Sequence, residues 1–280
     1  MAEITAAAVG KLREMTGAGL MECKKALTEA GGDMDKAVDI LRKKGAASAA
    51  KKASRDANEG IIVQNIQAGA RAGILVEINC ETDFVARNEG FRAFCDEVAR
   101  TLLADPKVDL EPARAAQVAK IGENIRISRF HRMEINGNGM IAAYIHTGEK
   151  LGVLVEVGSG KESTTAHDDF KQLVRDITLQ IAAAHTIAVS RDQVDPVILA
   201  KEKEIALEQV KNSPPQVVAK IVEGKLEKFF QTNCLLDQGF VKRNSEITVK
   251  EHVAGVARKL DDEISIRRFI RFLVGETTAA

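Results

Sequence analysis

Residues 4–44 carry their apolar positions at helical spacing. Ile4, Ala8, Val9 and Leu12 fall on one face of a first helix, which "TGAG" (Thr16–Gly19) interrupts. "LMECKKALTEA" predicts a second helix, stopped by Gly31-Gly32. "DMDKAVDILRKKG" predicts a third, with Asp33 as N-cap, Met34, Ala37, Val38 and Leu41 on the apolar face, and Gly45 as the C-cap. Residues 1–45 are therefore expected to form a small three-helix bundle, too small to hold a cleft for chemistry. "AASAAKKASRDANEG" (Ala46–Gly60) has no large apolar residue, and 46–59 is expected to be a linker, helical or extended, with solvated lysines.

The period then changes to that of strands, and the sequence repeats itself. "GIIVQNIQAGARAGILVEI" (Gly60–Ile78) aligns without a gap on "GMIAAYIHTGEKLGVLVEV" (Gly139–Val157), at an offset of 79 residues and with eight identities in nineteen positions. Each copy predicts strand, glycine-containing turn, strand. The offset continues into a helix after each copy, where Phe91 meets Phe170, Phe94 meets Leu173, Val98 meets Ile177 and Leu102 meets Ile181. A duplicated unit of this kind fixes an architecture: two related α+β subdomains, each a small sheet covered by helices on one face.

Beyond residue 195 the helical period returns. "VILAKEKEIALEQVKN" and "PQVVAKIVEGKLEKFF" flank "SPP" (Ser213–Pro215) and predict an antiparallel helical hairpin. "TVKEHVAGVARKL" predicts one more helix, "SIRRFIRFLVG" a final strand returning to a sheet, and "ETTAA" a frayed tail. The fold class is α+β. The division expected is 1–45 bundle, 46–59 linker, 60–138 core subdomain 1, 139–195 with 246–280 core subdomain 2, and 196–245 hairpin insertion.

Lys and Arg number 40, as do Asp and Glu, so no broad basic footprint marks a nucleic-acid binder. One Tyr and no Trp leave no platform for stacking bases. Four widely spaced cysteines without a C-x-x-C pair argue against a zinc site or a disulfide scaffold, and fit reduced thiols. The start "MAEITAAAVGKLREM" lacks the form of a signal peptide, and no apolar run is long enough to span a membrane. A cytoplasmic protein is expected.

"GSGKEST" (Gly158–Thr164) is not a phosphate loop: Val155 stands where its first Gly is required, and Glu162 would repel a phosphate. His131, His146, His167, His185 and His252 are too scattered for metal-ligand spacing. No nucleophile elbow or catalytic triad pattern is present, so neither enzyme activity nor a cofactor is expected. One contrast between the copies stands out. Thr82-Asp83-Phe84-Val85 of copy one is replaced by Lys161-Glu162-Ser163-Thr164 in copy two. Thr82 or Asp83 can cap a helical turn, which explains an Asp. Phe84 is not explained by packing alone, because Phe91 and Phe94 already supply the core positions; core residue and exposed probe both remain open.

"LREMTGAGLMECKKAL", "ETDFVARNEGF", "VAKIGENIRISRF" and "YIHTGEKLGVLVEV", in this order, resemble bacterial elongation factor Ts, from about residue 3 to "FIRFLVGE". The resemblance implies a ubiquitin-associated-like N-terminal bundle, a two-subdomain core and a helical hairpin. It implies guanine nucleotide exchange on elongation factor Tu, a GTPase. Thr82, Asp83, Phe84 and Val85 match the family segment whose Phe wedges between helices of the GTPase and displaces the groups holding Mg²⁺. Arg13, Leu20 and Met21 match the docking residues of the bundle, with Leu20 where many relatives have Met, and His146 matches a second contact. No nucleic acid or membrane contact is implied. The hairpin could mediate self-association or a further partner contact. A passive adaptor that binds the same partner without exchange is the competing reading.

Overall fold

The computed structural model describes residues 4–210 and 214–276. Ser213 of the hairpin turn and all of the expected tail after Glu276 lie outside the described residues. Helices α1 (Ala6–Thr16), α2 (Leu20–Glu29) and α3 (Met34–Lys52) form the N-terminal bundle. Its own core is Val9, Leu12, Cys23, Ala26, Leu27 and Ala37. Thr5 caps α1 and Asp33 caps α3 by accepting from Lys36 N at 3.1 Å. Gly17, at φ 67°, ends α1 in the left-handed conformation that glycine adopts without strain.

Gly45 is not a C-cap. Helix α3 runs through it to Lys52, and Gly45 and Ala49 are buried. A Cβ on Gly45 would lie 3.6 Å from Ala119 Cβ and 3.7 Å from Ala115 O, on the helix Glu111–Ile121. The expected linker is thus helical through residue 52, and its Ala49 packs on the core. A run of small residues looked core-free in the sequence; here it lets two helix backbones approach closely.

Strands β1 (Glu59–Ile66) and β2 (Ala72–Cys80) form a hairpin, followed by the single turn α4 (Asp83–Ala86), then α5 (Glu89–Ala104), α6 (Glu111–Ile121) and β3 (Ile125–Glu134). Strands β4 (Gly139–Ile145) and β5 (Leu151–Ser159) repeat the hairpin, and α7 (Asp168–Ala183) repeats α5. The hairpin of α8 (Pro196–Gln209) and α9 (Pro215–Asn233) intervenes before α10 (Val249–Lys259) and β6 (Ile264–Leu273). Among the described residues the strands make two antiparallel sheets, ordered β1-β2-β3 and β4-β5-β6.

Alternation along the strands assigns their two faces. Ile61, Val63, Ile74 and Val76 pack with Phe91, Cys95 and Val98 of α5. Their neighbours Ile62 and Leu75 face the other way, against Ile141 and Leu154 of the second sheet. The order of layers is helix, sheet, sheet, helix. Each sheet is therefore covered on both faces, which is why β2 is buried along its whole length.

The contact between the sheets is reciprocal. Ile62 N donates to Glu149 O at 2.7 Å, and its equivalent Ile141 N donates to Ala70 O at 2.8 Å. Ile135 N donates to Arg71 O and Val274 N to Lys150 O, both at 2.9 Å. Arg129 Nη2 donates to Leu273 O and Arg268 Nη2 to Glu134 O, again both at 2.9 Å. This is the pattern of a two-fold symmetric dimer interface built within one chain. Gly73 and Gly152 allow the approach: a Cβ there would lie 2.8 Å from Ile141 Cγ2 or 2.6 Å from Ile62 Cγ2 of the other sheet. The buried carboxylates Glu77 and Glu156 are matched in the same way by Arg129 and Arg268, each at 2.7 Å.

Candidate functional site

The strand β2 ends at Cys80, and the chain turns at once into α4. Thr82 is extended (φ −126°, ψ 155°) and caps that turn, its Oγ1 accepting from Val85 N at 3.4 Å. Asp83 is the first residue of the turn and pairs with Arg87 at 2.9 Å. A carboxylate at a helix start and a cation at its end both favour the turn. Val85 points inward against the core of subdomain 1, and Ala86 is buried. Phe84 points out and is 80% exposed, more than any other large apolar side chain among the described residues. That settles the sequence ambiguity: Phe84 is no part of the core, whereas Phe91 is fully buried.

An exposed aromatic on so short a turn needs external support. A carboxylate not singled out in the sequence supplies it. Glu123, in the loop between α6 and β3, accepts from Glu81 N at 3.1 Å and Thr82 N at 3.0 Å through Oε2. Its Oε1 accepts from Thr82 Oγ1 at 2.7 Å. In return, Asn124 N donates to Glu81 Oε1 at 2.6 Å. The Asn124 side chain, itself fully buried, donates to Arg55 O at 2.8 Å. The clasp thus joins the Phe84 turn to the loop after α6 and to the segment leaving α3.

Copy two has a related clasp without the aromatic. Asp262 accepts from Lys161 N at 3.1 Å and from Thr164 Oγ1 at 2.5 Å. The Thr164 bond is the first cause holding the Asp262 carboxyl below the ordinary range. Hence "GSGKEST" is a fixed turn and its lysine reaches Asp261, not an anion site. A further alignment in the sequence carries this equivalence: "KIGENIRISRF" (Lys120–Phe130) on "KLDDEISIRRF" (Lys259–Phe269). The hairpin insertion displaces it from the offset that relates the two β-hairpins, so the shorter repeat conceals it.

The remaining sequence candidates lie on the surface. Arg13, Leu20 and Met21 are exposed, the last two on the first turn of α2. Met15, 56% exposed on α1, joins Leu20 and Met21 among the exposed apolar residues of the bundle and was not among the candidates. Its place three residues after Leu12, beside the apolar face of α1, was the available signal. His146 is exposed on the β4–β5 turn, with Nδ1 2.9 Å from Tyr144 OH. That turn is tied to the Phe84 turn. Arg92 pairs with Glu149 at 2.7 Å and its Nε donates to Ala86 O at 3.3 Å. The fold therefore mounts Phe84 and His146 on one connected framework, although they belong to different copies.

All four cysteines are buried and unpaired, and burial pushes the Cys80 thiol up to about 12. A thiol so protonated is no nucleophile. Among the described residues no helix is long and apolar enough to cross a membrane.

The family model described as "Elongation factor TS" matches residues 81–276, from the Glu81 clasp through the whole of copy two. The chain belongs to the elongation factor Ts family. It is 46% identical to elongation factor Ts of Symbiobacterium thermophilum, over 99% of this chain and 93% of the relative. To that of Nitratidesulfovibrio vulgaris (strain DP4) it is 41% identical, over 99% and 98%. To that of Nostoc sp. it is 39% identical, over 99% and 94%. These similarities extend through the N-terminal bundle, which the family match does not reach. They place the chain among the elongation factors of translation.

Proposed function

We propose that this elongation factor Ts relative is a guanine nucleotide exchange factor for elongation factor Tu, acting without chemistry of its own. The observation that carries this reading is the 80% exposure of Phe84 on a turn clasped from both sides. Mg²⁺ in a GTPase bridges nucleotide and protein oxygens and demands near-ideal octahedral geometry. A small displacement of the groups around it weakens nucleotide binding. A rigid ring that fits only when the partner's helices part binds the nucleotide-free state better than the nucleotide-bound state. Differential affinity of this kind is all that exchange requires.

Thr82, Asp83 and Val85 hold the ring; Phe84 is the wedge. Arg13, Leu20 and Met21 dock the bundle, and His146 adds a contact from copy two. The hairpin exposes Val197 and Ile198, a surface for self-association, which sedimentation of the chain beside Val197→Glu tests.

The deciding experiment is stopped-flow release of labelled GDP from elongation factor Tu, with and without this protein. Faster release is expected. Binding without faster release would leave only a passive adaptor.

A further inference from the structure

We infer that Glu123 is the positioning residue of the wedge, setting the direction of Phe84 without touching the partner. The inference rests on the exchange reading above. Its basis is geometric. The turn bearing Phe84 has four residues, too few to hold its own direction against a partner's helices. Its N-terminal anchor is the pair of successive peptides that bear the Glu81 and Thr82 N–H groups. One carboxylate takes both N–H groups there and the Thr82 hydroxyl, at 2.7 to 3.1 Å. The hydroxyl's proton is thereby committed to Glu123, so a lone pair of Oγ1 faces Val85 N and caps the turn. Hydrogen bonds to an ionised acceptor are about twice as strong as neutral ones.

The other end of the clasp is equally fixed. Glu123 follows Gly122, which ends α6 at φ 90°, and precedes the fully buried Asn124. Helix α6 is the one on which α3 of the bundle packs through Gly45 and Ala119. Glu123 therefore sets the wedge relative to the bundle that docks beside it. Copy two supplies an internal control: Asp262 holds the equivalent turn, where Ser163 stands in place of Phe84.

The test is a double-mutant comparison on GDP release at saturating protein. Glu123→Ala is expected to slow the maximal rate about tenfold or more, the scale on which misplaced groups cost activity. Glu123→Gln is expected to recover most of that loss, because its carbonyl takes the two N–H groups and its amide faces the hydroxyl. Glu123→Ala added to Phe84→Ala is expected to slow release no further, since residues acting as one unit are non-additive. Asp262→Ala is expected to lower the melting temperature while keeping the maximal rate. Should Glu123→Ala melt below the assay temperature, Glu123→Asp, one methylene too short for both groups, replaces it. Additive losses, or an equal loss from Asp262→Ala, would make Glu123 a general stabiliser and overturn the inference. A wild-type protein that leaves GDP release unchanged would instead overturn the exchange reading itself.

Discussion

Thr82 and Glu123 are 41 residues apart in sequence, and the Thr82 hydroxyl donates to the Glu123 carboxylate at 2.7 Å. This bond, with the two backbone bonds beside it, turns a four-residue helical turn into a rigid mount. Only with that mount does the exposure of Phe84 carry functional weight, because an aromatic on a loose loop would fold back onto the surface.

Phe84→Ala is expected to abolish most of the acceleration of GDP release while leaving the melting temperature nearly unchanged. Phe84 is 80% exposed, so its removal leaves no cavity. Phe91→Ala is the contrast: that ring is fully buried, and its loss should cost about 3–5 kcal/mol. Thermal unfolding of both variants, beside their exchange rates, checks the pair. Equal melting losses would mean that Phe84 packs.

The effect of Phe84 is expected to depend on the partner's Mg²⁺. Asp83 would be repelled by a diphosphate, and a phenyl ring replaces no phosphate contact, so a mechanical route through the metal remains. EDTA should speed GDP release from elongation factor Tu alone and shrink the difference between the intact protein and Phe84→Ala. A difference of constant size across Mg²⁺ concentrations would refute metal displacement and leave exchange standing.

Gly45→Ala is expected to stabilise the protein by about 0.5–1 kcal/mol, because glycine inside a helix costs backbone entropy. The added Cβ would meet Ala119 at ordinary contact distance, 3.6 Å. Gly45→Leu cannot be accommodated there and should push α3 away from α6, lowering stability and weakening partner binding together. Chemical denaturation and a binding titration measure the two effects. A Leu variant as stable as Ala would mean that the α3–α6 contact is not tight.

The fold is expected to lose stability in mild acid. His252 stacks on Phe240 at 4.1 Å between ring centroids, and burial pulls its pKa below the ordinary 6.5. Asp176 beside it pulls the other way, and Arg243 and Lys242 add to the lowering. Burial and then the Arg268 charge lower His131 likewise. The unfolded chain therefore binds more protons than the native one. This contribution is complete above about 6.5 and fades as pH falls through the lowered native value. Urea unfolding from pH 8 to pH 5 should show stability falling, with a shallower fall for His252→Phe, which keeps the stack. An unchanged slope would remove His252 from the account.

Much of the molecule is legible in the sequence because its determinants are local. The period of apolar residues gave the bundle, the paired hairpins and the final strand, and the turn glycines gave their ends. Gly69 and Gly148 adopt φ 81° and 89° in turns that the repeat alone had placed at equal positions. The unlike residues at Thr82–Val85 and Lys161–Thr164 mark the candidate site in the sequence itself. What failed locally was Gly45: a small residue signals a helix end or a close helix contact, and sequence alone does not choose between them.

The chain by itself therefore determined the duplicated α+β units, the helical bundle and hairpin, and the segment that breaks the repeat. The tertiary structure decided which way Phe84 faces, since core and surface differ only by the direction of one side chain on a short turn. It also decided what holds that turn. Glu123 is an ordinary acidic residue in the sequence, and only the antiparallel pairing of β2 with β3 brings its loop to the strand exit. The packing of the two sheets was likewise invisible locally: strands buried on both faces lose the polar alternation that would announce a free face. Reciprocal contacts between distant equivalents, such as Ile62 with Glu149 and Ile141 with Ala70, exist only once both copies have folded against each other.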